Sequence, residues 1–173
     1  QGMGYYNRFI ERFPTVHSLA QSPENQVFKL WEGLGYYSRC RNLIATAKKV
    51  SLELQGRFPD TLEGLLSLKG VGPYTAAAIG SFAFGLPHAV VDGNVIRVIS
   101  RFMGITAPTD QSEVKKKLAL LAQELLDEKN PAVYNQSIMD FGAVVCRPQQ
   151  PRCIDCSLQK KCIAFAKGIQ SAI

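Results

Sequence analysis

The stretch Leu68-Lys69-Gly70-Val71-Gly72-Pro73 limits the folding of this chain more than any other. Gly70 and Gly72 admit backbone conformations that a side chain resists. Pro73 suits the first turn of a helix, where its missing N–H costs nothing. An alanine-rich run from Thr75 to Ile79 follows, and Ala76, Ala77 and Ala78 are small enough for another helix to lie close. Upstream, Asp60-Thr61-Leu62-Glu63 has the spacing of a capping box, with Leu62, Leu65 and Leu66 as the buried face. The pattern predicts two helices joined by a tight glycine turn.

The remaining punctuation is helical too. Ser22-Pro23-Glu24 offers an N-cap, a proline and an acid for a helix running to about Glu32. Leu43, Ala47, Val50 and Leu54 form one apolar stripe on a helix from Tyr36 to about Leu54. Asp110-Gln111-Ser112-Glu113 repeats the capping-box spacing before Val114, Leu118, Leu121 and Leu125. Pro131 opens a helix over roughly 132–145, and β-branched runs are too isolated to build a sheet. An all-α fold of about nine or ten short helices follows. With 173 residues, 46% of them hydrophobic, the chain can bury a core as one domain or two small lobes. No run of about 18 apolar residues is present, so no membrane partner is expected. The opening "QGMGYYNRFIERF" already reads as helix, as if the chain began within a domain.

Helix dipole and glycine turn together suit an anion. The positive end of the helix that starts at Pro73 points into the turn, and glycine lets a phosphate approach main-chain N–H groups. This describes a helix–hairpin–helix grip on one DNA strand, with Lys69 adding charge, and such contacts position DNA without reading its sequence. A glycine-tightened turn with no ligand is the plainer alternative. The net charge of +6 and pI of about 9.1 fit a polyanion partner and also fit ordinary surface chemistry.

Asp92-Gly93-Asn94-Val95 precedes an apolar helix carrying Val98, Ile99 and Phe102. Asp92 or Asn94 can serve simply as an N-cap, worth about 1 kcal/mol. Alternatively, an ionised Asp92 stabilises the positive charge that builds at a sugar C1′ as a glycosidic bond breaks, with Asn94 holding its rotamer.

Four of the five cysteines fall in the pattern Cys146-x6-Cys153-x2-Cys156-x5-Cys162. Without a secretory signal, such a cluster points to metal rather than disulfides. Four thiolates so close suit either tetrahedral zinc or a 4Fe–4S cluster. Arg147, Arg152, Lys160 and Lys161 surround them and can face phosphates. Cys40 lies alone and reads as a small, partly buried side chain. His17 and His88 are isolated, and no serine sits in a nucleophile elbow.

Taken in order, "LKGVGPYTA", "VDGNVIRV" and the cysteine pattern resemble the helix–hairpin–helix base-excision DNA glycosylases with an iron–sulfur loop. "ERFPTV", "LWEGLGYYSRCRNL" and "NQSIMDFGAVVC" resemble the adenine DNA glycosylases (MutY) within that superfamily. The resemblance covers nearly the whole chain and implies the endonuclease III-like fold. It also implies a monomer that acts on double-stranded DNA with adenine mispaired with 8-oxoguanine or guanine, in the cytoplasm of a bacterium, at the nucleoid. Asp92 matches the catalytic aspartate and Asn94 a residue beside it. Tyr36 matches a side chain that wedges into the base stack. Lys69, Gly70, Val71, Gly72, Tyr74, Thr75, Arg147 and Arg152 fall at DNA-contact positions. Cys146, Cys153, Cys156 and Cys162 match the ligands of a 4Fe–4S cluster. Tyr74 stands where endonuclease III carries its Schiff-base lysine, which implies a glycosylase that leaves an abasic site without cutting the strand.

The same resemblance sets expectations about what the 173 residues lack. The family's catalytic glutamate, which protonates adenine at N7, is expected about ten residues before Gln1. Glu11, Glu24 and Glu32 do not match its motif and read as solvated helix faces. The chain alone is therefore expected to be nearly inactive, since general acid catalysis is worth about 10²–10⁴-fold. The family's Nudix-like domain that reads 8-oxoguanine is expected beyond Ile173. The lobes are expected at 1–109, with the hairpin and Asp92, and 110–173, with the cysteine loop. A thymine mismatch glycosylase of the same fold and a non-catalytic DNA-binding module are the alternatives.

Overall fold

The computed structural model describes residues 2–173, and the regular secondary structure among them is all helical. It divides into two compact units, residues 1–72 and 73–173, and the division falls inside the glycine turn.

The first unit begins with α1 (Gly2–Arg12), α2 (Val16–Gln21) and α3 (Glu24–Trp31). The long α4 (Tyr37–Leu52) and the short α5 (Leu62–Leu66) complete it. Phe13, Leu19, Val27, Cys40, Ile44 and Ala47 form its core, where α2 and α3 pack on α4. Phe9 lies edge-on to Phe13 at 5.1 Å and to Trp31 at 6.3 Å, which ties α1 to α3. Thr15 and Ser18 make a capping box at the start of α2.

Three expected caps differ. Thr61, not Asp60, caps α5, accepting from the Gly64 N–H at 3.1 Å. That register sets Leu65, fully buried, one turn beyond Leu62. The helix α3 is capped by Pro23 in place of Ser22, and no side chain supplies the cap.

The second unit contains α6 (Pro73–Phe84), α7 (Gly93–Met103), α8 (Ser112–Glu124) and α9 (Pro131–Val144). A 3₁₀ turn (Gln159–Lys161) and α10 (Ile163–Ala166) follow. Gln111 occupies the cap of α8 without a side-chain bond, so the Asp110 capping box does not form. Central α7 packs on α8, α9 and α10, and Val95, Ile99, Leu118 and Ala122 form the buried core between α7 and α8, with Ile138 and Met139 of α9 against it. Burial of each large aliphatic side chain there contributes about 1.5–3 kcal/mol. Ala76, Ala77, Gly80 and Ser81 are the buried small residues of α6, which packs on α9. No helix among the described residues is long and apolar enough to cross a membrane.

Candidate functional site

The glycine turn lies between α5 and α6 in the chain. Gly70 has φ +77°, and a Cβ there would collide with the Asn42 side chain, so both conformation and space demand glycine. Gly72 differs from expectation: its φ is not in the left-handed region and nothing lies within 4 Å of an added Cβ. It leaves the turn open rather than permitting a strained backbone. Lys69 is exposed, and its carbonyl is held by the Thr46 hydroxyl at 3.2 Å. The Val71 N–H closes back on the Leu68 carbonyl at 3.2 Å. Tyr74 and Thr75 lie in the first turn of α6, with Tyr74 exposed.

Tyr36 is the N-cap of α4, in the left-handed region at φ 47° and 74% exposed. A bulky residue in that region is uncommon. The Arg39 guanidinium lies 4.9 Å from its ring centroid. The ring thus projects outward with a cation beneath it, on a turn set by Gly33 and Gly35, both at positive φ.

Asp92 caps α7. Its Oδ1 accepts from the Val95 N–H at 2.8 Å, and its Oδ2 accepts from Asn94 Nδ2 at 2.9 Å. Both readings of Asp92 therefore coincide at one residue: it is a cap, and its carboxylate is held in one orientation while partly exposed.

The sequence reading missed Arg97. Its Nη2 donates to Asn94 Oδ1 at 2.9 Å and to the Gly142 carbonyl at 2.7 Å, and its Nε donates to the Cys146 carbonyl at 2.8 Å. The line Asp92–Asn94–Arg97–Cys146 thus joins the carboxylate to the cysteine loop. Gly142 makes room for it, because a Cβ there would lie 2.7 Å from Asn94 Cβ and 3.0 Å from the Asn94 carbonyl oxygen.

Cys146, Cys153, Cys156 and Cys162 line one cavity of about 30 Å³ with Arg101 and Phe165. Among the described residues, no three Cys, His, Asp or Glu side chains stand close enough to hold a single metal ion. Arg101 is 2% exposed. It donates to Cys146 Sγ at 3.6 Å, to the Arg147 carbonyl at 2.7 Å and to the Pro148 carbonyl at 3.0 Å. Burial pushes the Cys153 thiol up, and the other three thiols add to this, while Arg101 pulls it down. Arg147 and Arg152 are exposed on the loop. Cys40, by contrast, is fully buried in the first unit, and burial raises its thiol also.

The glutamates near the chain start lie on helix surfaces. Glu11, Glu24 and Glu32 are exposed, with Glu24 2.8 Å from Lys48 and Glu32 2.7 Å from Lys29.

Known proteins resemble this chain along nearly its full length. The adenine DNA glycosylase of Rattus norvegicus is 48% identical over 164 residues, 94% of this chain and 32% of its own length. The human adenine DNA glycosylase is 45% identical over 163 residues, 94% of this chain and 30% of its own. That of Buchnera aphidicola subsp. Schizaphis graminum is 38% identical over 161 residues, 93% and 46% respectively. The chain thus spans from about a third to under half of these relatives.

Among solved structures, a thermostable thymine-DNA glycosylase superposes with a TM-score of 0.87 at 30% identity, covering 96% of this chain and 76% of that one. An endonuclease III in a non-covalent complex with DNA gives 0.78 at 25% identity, covering 96% and 77%. The expected all-α, endonuclease III-like architecture is therefore the one observed. The profile of the HhH-GPD superfamily base excision DNA repair proteins matches residues 3–124, a span that takes in both the Gly70 turn and the Asp92 cap. Fold, turn and capped carboxylate agree with that match over most of the chain, which belongs to the HhH-GPD superfamily of base excision DNA repair proteins.

Proposed function

We propose that the protein containing this chain is a monofunctional adenine DNA glycosylase, which removes adenine mispaired with 8-oxoguanine or guanine from duplex DNA. The observation that carries the reading is Asp92, held at both oxygens at the start of α7. The flipped nucleoside loses its base as the C1′–N9 bond breaks. Asp92 stabilises the cationic sugar. A water then adds to C1′ and gives up a proton, leaving an abasic site. The departing base takes a proton at N7 from a general acid. Glu11, Glu24 and Glu32 stand on exposed helix faces, the last two paired with lysines, and we assign none of them that role.

Tyr74 offers a hydroxyl where a Schiff-base enzyme needs an amine, so no lyase step runs through it. Lys69, Gly70, Val71 and Gly72 are the proposed backbone grip and Tyr36 the proposed wedge. Tyr74, Thr75, Arg147 and Arg152 are proposed to meet phosphates, and the protein is proposed to act as a monomer.

The cysteine loop fits a 4Fe–4S cluster better than zinc. One zinc ion draws four thiolates to about 2.3 Å from a single point. Four sulfurs that line one cavity, in the order that the resemblance assigns to a 4Fe–4S loop, favour a cluster of several irons. The buried Arg101 strengthens the fit, because no Asp or Glu side chain pairs with it among the described residues. A buried cation needs an anion, and four thiolates provide one. Such a cluster, when bound, supplies fixed negative charge and cross-links the loop. Arg101 orients Cys146 and the 147–148 carbonyls around it.

The thymine reading keeps one observation in its favour, the TM-score of 0.87 with a thymine-DNA glycosylase. Single-turnover base release by the full-length protein separates the two. Adenine should leave from A:8-oxoguanine duplexes, with strand breaks appearing only after alkali. Thymine release from T:G duplexes at a comparable rate would refute adenine specificity.

A further inference from the structure

The segment Gly85–Val91 links α6 to Asp92 without helix or strand. Its backbone polar groups still need partners. Two amide side chains supply them. Gln123, in α8, accepts from the Ala89 N–H at 3.0 Å and donates to the Pro87 carbonyl at 2.9 Å. Asn135, in α9, accepts from the Val90 N–H at 3.0 Å and donates to the His88 carbonyl at 2.9 Å and to Ser81 Oγ at 2.8 Å. Four consecutive residues, 87 to 90, are thus held as in a β-ladder whose second strand has been replaced by two side chains. Asn135 and Val90 are each 1% exposed, so the bonds from Asn135 to Val90 and Ser81 are made in a dry environment where each fixes geometry strongly.

We infer that Gln123 and Asn135 are positioning residues that clamp the backbone just ahead of Asp92 and so fix where its carboxylate stands. The inference rests on the glycosylase reading of Asp92. Downstream, Asp92 is anchored by Val95 and Asn94. Those bonds set its rotamer relative to α7 alone. The clamp sets the entering backbone relative to α8 and α9, which closes the frame from the other side. Neither amide touches Asp92, and their effect passes through Val90 and Val91.

The test uses the full-length protein with Asn135→Ala and Gln123→Ala. It compares single-turnover adenine release with affinity for a duplex carrying an abasic-site analogue. It also follows amide exchange at Val90 and Val95. Asn135→Ala should slow base release by about 10–100-fold, the range expected for a displaced catalytic group. Duplex affinity should stay within about threefold of wild type, because the contacts that grip phosphates are elsewhere. Exchange should quicken at Val90 and Val95 beyond any change in the rest of α7. Gln136→Ala, at an exposed neighbour on α9, should leave the rate unchanged.

A rate that falls only in proportion to the unfolded fraction, or together with affinity, would overturn the clamp. So would unchanged exchange at Val95. If Asn135→Ala does not fold, Gln123→Ala decides, with a smaller rate loss at unchanged affinity expected. If Asp92→Asn leaves base release intact, the glycosylase reading falls instead, and the Val95 exchange still judges the clamp.

Discussion

Arg97 shows what a single side chain can hold together. One guanidinium ties Asn94 to the carbonyls of Gly142 and Cys146, and Asn94 in turn orients Asp92. Arg97→Ala should cut the single-turnover rate by about 10–100-fold with little loss of duplex affinity, since it frees the rotamer of the proposed catalytic Asp92 and leaves the proposed phosphate contacts alone. Equal losses in both would mean that Arg97 serves folding only. The Asp92–Asn94 pair was legible in the sequence because its members are two residues apart. Arg97 was not, because its carbonyl partners lie 45 and 49 residues away and no local spacing announces them. Cys40 is a simpler residue-scale case. Its thiol is raised by burial, so the thiolate appears only at higher pH than in a free cysteine. It should resist thiol reagents at pH 7 in the folded protein and react on denaturation, as mass spectrometry can follow. Ready labelling in the folded protein would contradict the packing of α4.

Elements were readable where the signal is local and uncertain where two good caps compete. The Pro73 start of α6 and the Asp92 start of α7 follow directly from their residue types. Asp60 and Thr61 are both competent caps, and the choice fell to Thr61 through the burial of Leu65, a tertiary effect. Gln111 caps α8 without a side-chain bond for want of any such local arrangement at Asp110. Within the hairpin, Gly70 and Gly72 look alike in sequence but differ in the structure, since only Gly70 has positive φ and a crowded neighbour. Gly70→Ala should therefore destabilise the first unit by at least about 1–2 kcal/mol, the cost of a left-handed non-glycine residue. It should also weaken non-specific duplex binding measured by salt titration. Adding Asn42→Ala should recover only the part due to collision. Unchanged binding in the single variant would argue for a turn that carries no DNA.

At the scale of the molecule, the cysteine spacing told of a metal but not of its kind. Zinc and iron–sulfur both suit the spacing, and the cluster is our proposal, supported by four thiols that line one cavity with a buried arginine. The protein purified without oxygen should show a broad absorption band at about 400 nm. Arg101→Met should lower iron content, because it leaves two loop carbonyls without their donor. Zinc in place of iron, with no such band, would contradict the assignment. The central claim is that Asp92 is the catalytic carboxylate of an adenine glycosylase, and single-turnover adenine release from an A:8-oxoguanine duplex tests it most directly. Full-length protein with Asp92→Asn should bind the duplex within about threefold of wild type, since its phosphate contacts are intact. It should release adenine at least about 10²-fold more slowly, the scale of one lost electrostatic stabiliser. Release at the wild-type rate would contradict the account.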